Sequence, residues 1–140
     1  MRNEEKVLHI VIAGREHDVL SRFGAELCRT GRVRITQVDS AAAVLNCIKA
    51  DCVDLVVVGQ SLRDSTPIDF VTRLVQHNAM INCAMVSAMD ENDFHEATEG
   101  LGVLMQLPPN PSADDASALL EKIKLLASLL CGHNCKGLQQ

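Results

Sequence analysis

The sequence contains no tryptophan and no tyrosine, and only three phenylalanines among 140 residues. The aromatic side chains on which nucleic-acid bases or sugar rings usually stack are therefore almost absent. No apolar run approaches the roughly 20 residues that cross a bilayer, and the charged start MRNEEKV shows no secretory signal. There is no basic excess either, since 13 Lys and Arg against 18 Asp and Glu give a net charge of −5. This balance argues against a nucleic-acid or anionic-membrane partner.

Apolar residues, in contrast, are plentiful, and their share of 47% is enough to bury the core of one domain. We therefore expect a soluble, cytoplasmic domain over residues 1–131 and a polar tail over residues 132–140. Six cysteines stand at positions 28, 47, 52, 83, 131 and 135. Without a secretory signal they are predicted to be reduced structural thiols. Together with His133, Cys131 and Cys135 offer at most three of the four ligands that zinc needs.

Two hydrophobic periods alternate along the chain. Short apolar runs predict buried strands at residues 7–13, 33–38, 54–58, 81–86 and 103–106. Helical spacing follows each run, with Ser40 as the predicted cap of the second helix and Pro67 near the start of the third. The fourth helix, over residues 90–99, is the most polar, and the fifth spans residues 112–131. Strands that alternate with helices predict a parallel sheet covered on both faces.

In such a sheet, a ligand site belongs at the carboxyl ends of the strands. The loops that matter most are those after the first, third and fourth strands. They begin with Gly14-Arg15, Gly59-Gln60 and Ser87-Ala88, and the fifth strand leads into Leu107-Pro108.

Three long stretches resemble response-regulator receiver domains of the CheY-like type. They read IVIAGREHDVL, DLVVVGQSLRDSTPIDFVTRLV and CAMVSAMDENDFHEATEGLGVLMQLPP, within a resemblance that covers about residues 6–130. The resemblance implies a three-layer α/β, flavodoxin-like fold with a five-stranded parallel sheet of order 2-1-3-4-5 and five helices. It also implies a bacterial two-component or phosphorelay signalling module that is not an enzyme.

The resemblance assigns a role to each loop. In receivers, two acids after strand one and an aspartate after strand three hold Mg²⁺, and that aspartate accepts a phosphoryl group. A lysine after strand five pairs with the phosphoryl group, and a Ser or Thr after strand four senses it. Here the corresponding positions are Gly14, Arg15, Gly59, Leu107 and Ser87, of which only the serine fits. The sequence therefore predicts a degenerate pseudo-receiver that binds no Mg²⁺ or other cofactor and is not phosphorylated at the usual site.

The remaining polar residues near the site have ordinary interpretations. Arg15 is expected at the surface, paired with Glu16, Asp18 or Asp64, although it would suit an anion. Asp64, like Asp54 at the other end of the third strand, is expected in a solvated or capping role. The two glycines are interpreted as what remained once the acids were no longer needed.

Protein–protein interaction is then the expected function. The resemblance implies an interaction face on the fourth helix, the fifth strand and the fifth helix that includes Phe94, His95, Leu104 and Gln106. The expected partners are a histidine kinase, an output domain or a second copy of the chain. Two alternatives stay open: a regulator that accepts phosphate on an unconventional residue, and a thiol or metal sensor that uses Cys131 and Cys135.

Overall fold

The computed structural model describes residues 7–78 and 81–130, with the side chains of the last helix as far as residue 126. Within this part of the chain, five strands alternate with five helices. The strands are β1 (Leu8–Ala13), β2 (Val33–Val38), β3 (Leu55–Val58), β4 (Asn82–Val86) and β5 (Val103–Leu107). The helices are α1 (His17–Thr30), α2 (Ala41–Ala50), α3 (Pro67–His77), α4 (Glu91–Ala97) and α5 (Ala113–Leu130).

All strand pairs are parallel, and the sheet order is β2-β1-β3-β4-β5. The predicted three-layer fold and its strand order are confirmed. Every predicted strand agrees with the observed one to within one residue at each end. Leu107, which the sequence placed just after the last strand, is its final residue and forms part of the core.

Each face of the sheet has its own core because neighbouring strand residues point to opposite faces. In β1, Ile10 and Ile12 pack with α1 and α5, whereas Val11 and Ala13 pack with α2, α3 and α4. The first core takes its helix residues from Leu20, Phe23, Leu27, Ala116, Leu119, Leu120 and Ile123. The second takes them from Ala41, Val44, Phe70, Val71, Leu74 and Phe94.

Side-chain caps determine where three of the helices begin. Ser40 accepts a hydrogen bond from the Ala43 amide at 3.1 Å, which confirms it as the cap of α2. Thr66 caps α3 directly before Pro67, and Asp90 caps α4 through the Asp93 amide at 2.8 Å. These caps fix how the chain enters each helix on leaving a carboxyl-end loop.

The cysteines differ more than the sequence predicted. Cys83 is buried as expected, whereas Cys28 is exposed on the outer face of α1 and Cys47 is half-buried. Cys131 and Cys135, the tail and the boundary at residue 131 lie outside the described residues. The prediction of a buried structural thiol therefore holds for Cys83 and is wrong for Cys28.

Pairing between β4 and β5 contains one irregularity. Cys83 pairs with Val103 and Ala84 with Met105, so Leu104 is an extra residue on β5. Such a bulge bends the strand and redirects nearby side chains. It lies on the part of β5 that the sequence assigned to an interaction face.

Candidate functional site

The loops after β1 and β3 meet at the carboxyl edge of the sheet. The Gly59 amide donates to the Ala13 carbonyl at 2.7 Å, and the Arg15 amide donates to the Ser61 carbonyl at 2.9 Å. A Cβ atom built on Gly14 would lie 3.2 Å from the Gly59 Cα atom. The structure thus brings the predicted positions of the acidic pair and of the phosphoryl acceptor together.

Glu16 is a residue of the candidate site whose placement the sequence analysis missed. Its Oε2 atom accepts a hydrogen bond of 2.6 Å from the amide of Gln60, which is 44 residues away. A Cβ atom built on Gly59 would lie 2.9 Å from Oε1 of Glu16 and 3.0 Å from both Cδ and Oε2. The Glu16 carboxylate therefore fills the space into which an acceptor side chain at position 59 would project.

The position of Glu16 makes this contact unexpected. Glu16 is the N-cap residue of α1, yet its side chain forms no capping hydrogen bond with that helix. Instead it crosses to the β3–α3 loop, and its Oε1 atom is buried without a hydrogen-bond partner among the described residues. Burial of an unpaired carboxylate oxygen is unfavourable, so the surrounding packing must hold the side chain in place.

The two glycines have a steric role. Among the described glycines, only Gly100 and Gly102 have a positive φ, so the φ angles at positions 14 and 59 are open to any residue type. A Cβ atom on Gly14 would approach Leu20 Cδ1 to 2.6 Å and Glu16 Oε1 to 2.9 Å. The interpretation that these glycines are what remained once the acids were no longer needed stays a prediction, and a side chain at either position would have to displace the Glu16 carboxylate.

Arg15 is exposed, as predicted, but two of its three expected partners, Glu16 and Asp64, accept hydrogen bonds from other residues. The Glu16 carboxylate bonds to Gln60, and Asp64 accepts from the Ala41 and Ala42 amides at 2.7 and 3.2 Å. Within residues 7–78 and 81–130, no carboxylate forms an ion pair with Arg15. The predicted pairing is therefore wrong, and Arg15 adds an unneutralised cation beside the site.

Asp64 and Asp54 have structural roles, as the sequence predicted. Asp64 holds the start of α2 from the β3–α3 loop, and the Ala41 amide, followed by that of Ala42, lowers the pKa of Asp64. Asp54 lies at the opposite edge of the sheet, where its carboxylate accepts from the His9 amide at 2.8 Å. That edge also contains the buried His9 ring, whose Nε2 atom lies 2.9 Å from Thr36 Oγ1.

Ser87 and Leu107 lie side by side after β4 and at the end of β5. The Ser87 amide donates to the Leu107 carbonyl at 2.9 Å, and the Ser87 hydroxyl accepts from the Met89 amide at 3.1 Å. The Leu107 side chain is fully buried in the core and brings no cation to the site. Gln106 donates to the carbonyls of Ser87 and Met89 at 3.2 and 2.8 Å. Ser87 and Gln106 therefore hold the β4–α4 loop in shape.

The predicted interaction face is only partly a surface. Phe94 is 5% exposed and packs in the core below α4, so the prediction that it contributes to an exposed face is wrong. His95 is exposed, whereas Leu104 and Gln106 are half-buried. Next to them is a shallow depression of about 470 Å³ lined by His95, Glu96, Thr98, Glu99, Gly102 and Val103.

The described residues contain neither a cluster of metal ligands nor a membrane-spanning helix. In residues 7–78 and 81–130, no group of three or more His, Cys, Asp or Glu side chains is placed to hold a metal ion. Over the same residues, no helix combines the length and apolar character needed to span a membrane.

Comparison with solved structures decides the fold. A signal receiver domain of an HD domain-containing protein from Pseudomonas fluorescens Pf-5 has a TM-score of 0.78 at 14% identity, covering 93% of this chain and 96% of that one. A response regulator receiver domain protein from Clostridium thermocellum has a TM-score of 0.77 at 15% identity, covering 89% and 100%. This chain has the receiver-domain fold.

The receiver fold is retained at very low sequence identity. The chemotaxis response regulator CheY4 of Vibrio cholerae has a TM-score of 0.74 at 9% identity, covering 84% of this chain and 99% of that one. No protein-family model matches the sequence, and no curated protein is detectably similar to it. The resemblance seen in the sequence is thus supported by the three-dimensional structure of the chain.

Proposed function

We propose that this chain is a receiver-like signalling module that is not phosphorylated at position 59 and that acts through protein–protein contacts rather than as an enzyme. The observation that carries the proposal is the Glu16 carboxylate in the space above Gly59. Position 59 has no side chain to attack a phosphoryl donor, and the neighbouring carboxylate excludes the phosphoryl group from that space by volume and by charge.

The residues at the site do not fit Mg²⁺. Octahedral Mg²⁺ is bound through one or two protein carboxylates together with waters or phosphate oxygens. Positions 14, 15 and 59 provide none, one oxygen of Glu16 is buried, and the other accepts from Gln60. Arg15, which forms no ion pair with the described residues, adds a positive charge that opposes a divalent cation. No step of the proposed function therefore uses Mg²⁺.

The negative charge of the segment that contains the predicted interaction face indicates what kind of partner it would bind. Between Arg73 and Lys122 the sequence contains no Lys or Arg. The same segment contains eight acids: Asp90, Glu91, Asp93, Glu96, Glu99, Asp114, Asp115 and Glu121. In a symmetric dimer built on this face, the acidic patch of one copy would meet that of the other. The proposed partner is therefore a different protein, a kinase or an output domain, with a basic surface.

Phosphoryl uptake tests the proposal directly. We expect the intact mass of the protein to stay unchanged after incubation with acetyl phosphate and Mg²⁺, while a competent receiver treated in parallel gains one phosphoryl group. A stoichiometric adduct on this chain would overturn the proposal. Its position would identify the alternative acceptor, and an adduct on Glu16 would show that the side chain above Gly59 has become the nucleophile.

Sedimentation equilibrium tests the choice of partner. At low salt we expect a monomer, because repulsion between the acidic faces is least screened there. The matched variant replaces Glu96 and Glu99 with Gln, which lowers the negative charge beside β5. Because this change weakens the repulsion between two copies, it should not make the protein more monomeric. A stable wild-type dimer that weakens when His95 is replaced by Glu would instead support a second copy as the partner.

A further inference from the structure

Glu16 and Gly59 form a close pair at the carboxyl edge of the sheet. The carboxylate contacts two loops, lies within 3.0 Å of where a Cβ atom of Gly59 would be, and bonds to the next amide in the chain. The φ angle at position 59 does not require glycine. A side chain at position 59 would instead have to displace the Glu16 carboxylate.

We propose that Glu16 is an intramolecular latch that replaces the missing acceptor side chain and holds the β1–α1 and β3–α3 loops in one fixed arrangement. This inference deepens the proposed function, since it names what closes the site. The carboxylate joins the loops through the Gln60 amide, and the Arg15 amide joins them a second time through the Ser61 carbonyl at 2.9 Å. Glu16 is thus a positioning residue.

The buried Oε1 atom indicates that the latch is held by fit rather than by a full set of hydrogen bonds. Oε1 has no hydrogen-bond partner among the described residues, while Oε2 makes one short bond. A carboxylate that is half satisfied stays inside only if the space around it matches its shape. Gly14 and Gly59 provide that space, so Glu16 and the two glycines form one unit.

The local test follows the Gln60 amide by NMR. In Glu16→Ala, we expect this amide to exchange with solvent about tenfold faster or more, the factor that a hydrogen bond to a charged group supplies. Its proton resonance should also lose the downfield shift of a short, charge-assisted hydrogen bond. Glu16→Gln keeps an acceptor and should give intermediate values. Glu26→Ala, which removes a half-buried acid of α1 that pairs with Arg29, is the matched control and should leave Gln60 unchanged.

The steric test is a double-mutant cycle. Gly59→Ala forces the carboxylate out and should lower the melting temperature, whereas the same substitution in a Glu16→Ala background should cost much less. Gly24→Ala is the control, because its Cβ atom would meet Ile12 Cδ1 and Ile35 Cγ2 but not Glu16, so its effect should be the same in both backgrounds. Equal effects of Gly59→Ala in both backgrounds, or an unchanged Gln60 amide in Glu16→Ala, would overturn the latch.

Neither measurement uses a phosphoryl donor, so the latch proposal and the proposed function can be contradicted independently of each other. Phosphorylation of another residue of the chain would contradict the proposed function but not the latch proposal. If the Gln60 amide is unchanged in Glu16→Ala, the latch proposal is wrong, whereas the absence of an acceptor side chain at position 59 is unaffected.

Discussion

At the scale of single residues, burial decides which thiols are reactive. Cys83 is buried between the sheet and its helices, and desolvation raises the pKa of its thiol to about 12. The thiolate is the reactive form of cysteine, so this side chain is chemically inert in the folded protein. Cys28 and Cys52 are exposed and lack that protection from burial.

Alkylation checks this difference. In the folded protein at mildly alkaline pH, we expect iodoacetamide to modify Cys28 and Cys52 and to leave Cys83 unmodified, as mapped by peptide mass. In urea, all three should react, which serves as the control. Native-state modification of Cys83 at the rate of Cys28 would mean that the strand opens far more often than its burial suggests.

One residue at the opposite edge of the sheet shows how polar groups are buried at low cost. His9 is 5% exposed, and its ring contacts the Thr36 hydroxyl at 2.9 Å and the Cys52 carbonyl at 3.3 Å. Its backbone exchanges two bonds of 2.8 Å with Asp54, whose carboxylate accepts from the His9 amide while its own amide donates to the His9 carbonyl. Because these groups are paired, a buried histidine here is compatible with a stable core.

At the scale of elements, caps explain why α2 begins where it does. Ser40 satisfies the Ala43 amide, and Asp64 satisfies those of Ala41 and Ala42 from a distant loop. The first turn of a helix otherwise leaves such amides without partners. Two separate segments therefore stabilise one helix start, which ties α2 to the carboxyl edge of the sheet.

Removal of the local cap should be measurable. We expect Ser40→Ala to lower the free energy of unfolding by about 1 kcal/mol, because an alanine at this position leaves the Ala43 amide without its acceptor. Urea unfolding at neutral pH measures the change. Ser61→Ala, at an exposed position in the β3–α3 loop, is the control and should stay close to wild type. An unchanged Ser40→Ala variant would show that Asp64 alone suffices.

The packing of α4 explains why the prediction for Phe94 was wrong. The resemblance assigned Phe94 to an interaction face, and the segment around α4 is polar, with Asp90, Glu91, Asp93 and Glu96. A short helix against a sheet still needs an apolar anchor, and Phe94 is the buried residue of α4. The proposed interaction face therefore keeps His95, with the half-buried Leu104 and Gln106 beside it.

At the scale of the whole molecule, two carboxylates connect distant segments and make stability depend on pH. Hydrogen bonds from Arg34 and the Cys52 amide lower the pKa of Asp51, and the Ala41 amide lowers that of Asp64, both from an ordinary value of 3.8. The folded state then binds fewer protons than the unfolded state just below that value. Their contribution to stability is complete above about pH 4 and is lost as the pH falls through the folded-state pKa values.

Unfolding at two pH values checks the contribution of Asp64. We expect wild type to lose stability between pH 7 and pH 3, and Asp64→Asn to lose less over that interval because its side chain does not titrate. Ser61→Ala, a neutral change in the same loop, should keep the wild-type difference. If Asp64→Asn shows the full wild-type difference, the carboxylate does not stabilise the start of α2 in the way described.

Local patterns in the sequence determined the fold. Strand-like and helical periods alternate in short segments, and burial of their apolar faces permits few arrangements other than a parallel sheet between two helical layers. Ser40 could be assigned as a helix cap, and Pro67 as lying near a helix start, for the same reason, since a cap acts within three or four residues. The glycine at position 59 was also visible, and the resemblance to receiver domains assigned that position to the acceptor.

The tertiary structure alone decided what occupies the site. Glu16 contacts Gln60 across 44 residues, and Asp64 caps a helix that begins 23 residues before it. The direction of each side chain depends on which loops the sheet brings together, and no local period encodes that. The pattern of apolar residues determined the scaffold, whereas packing at the carboxyl edge turned a vacant acceptor position into one filled by a carboxylate.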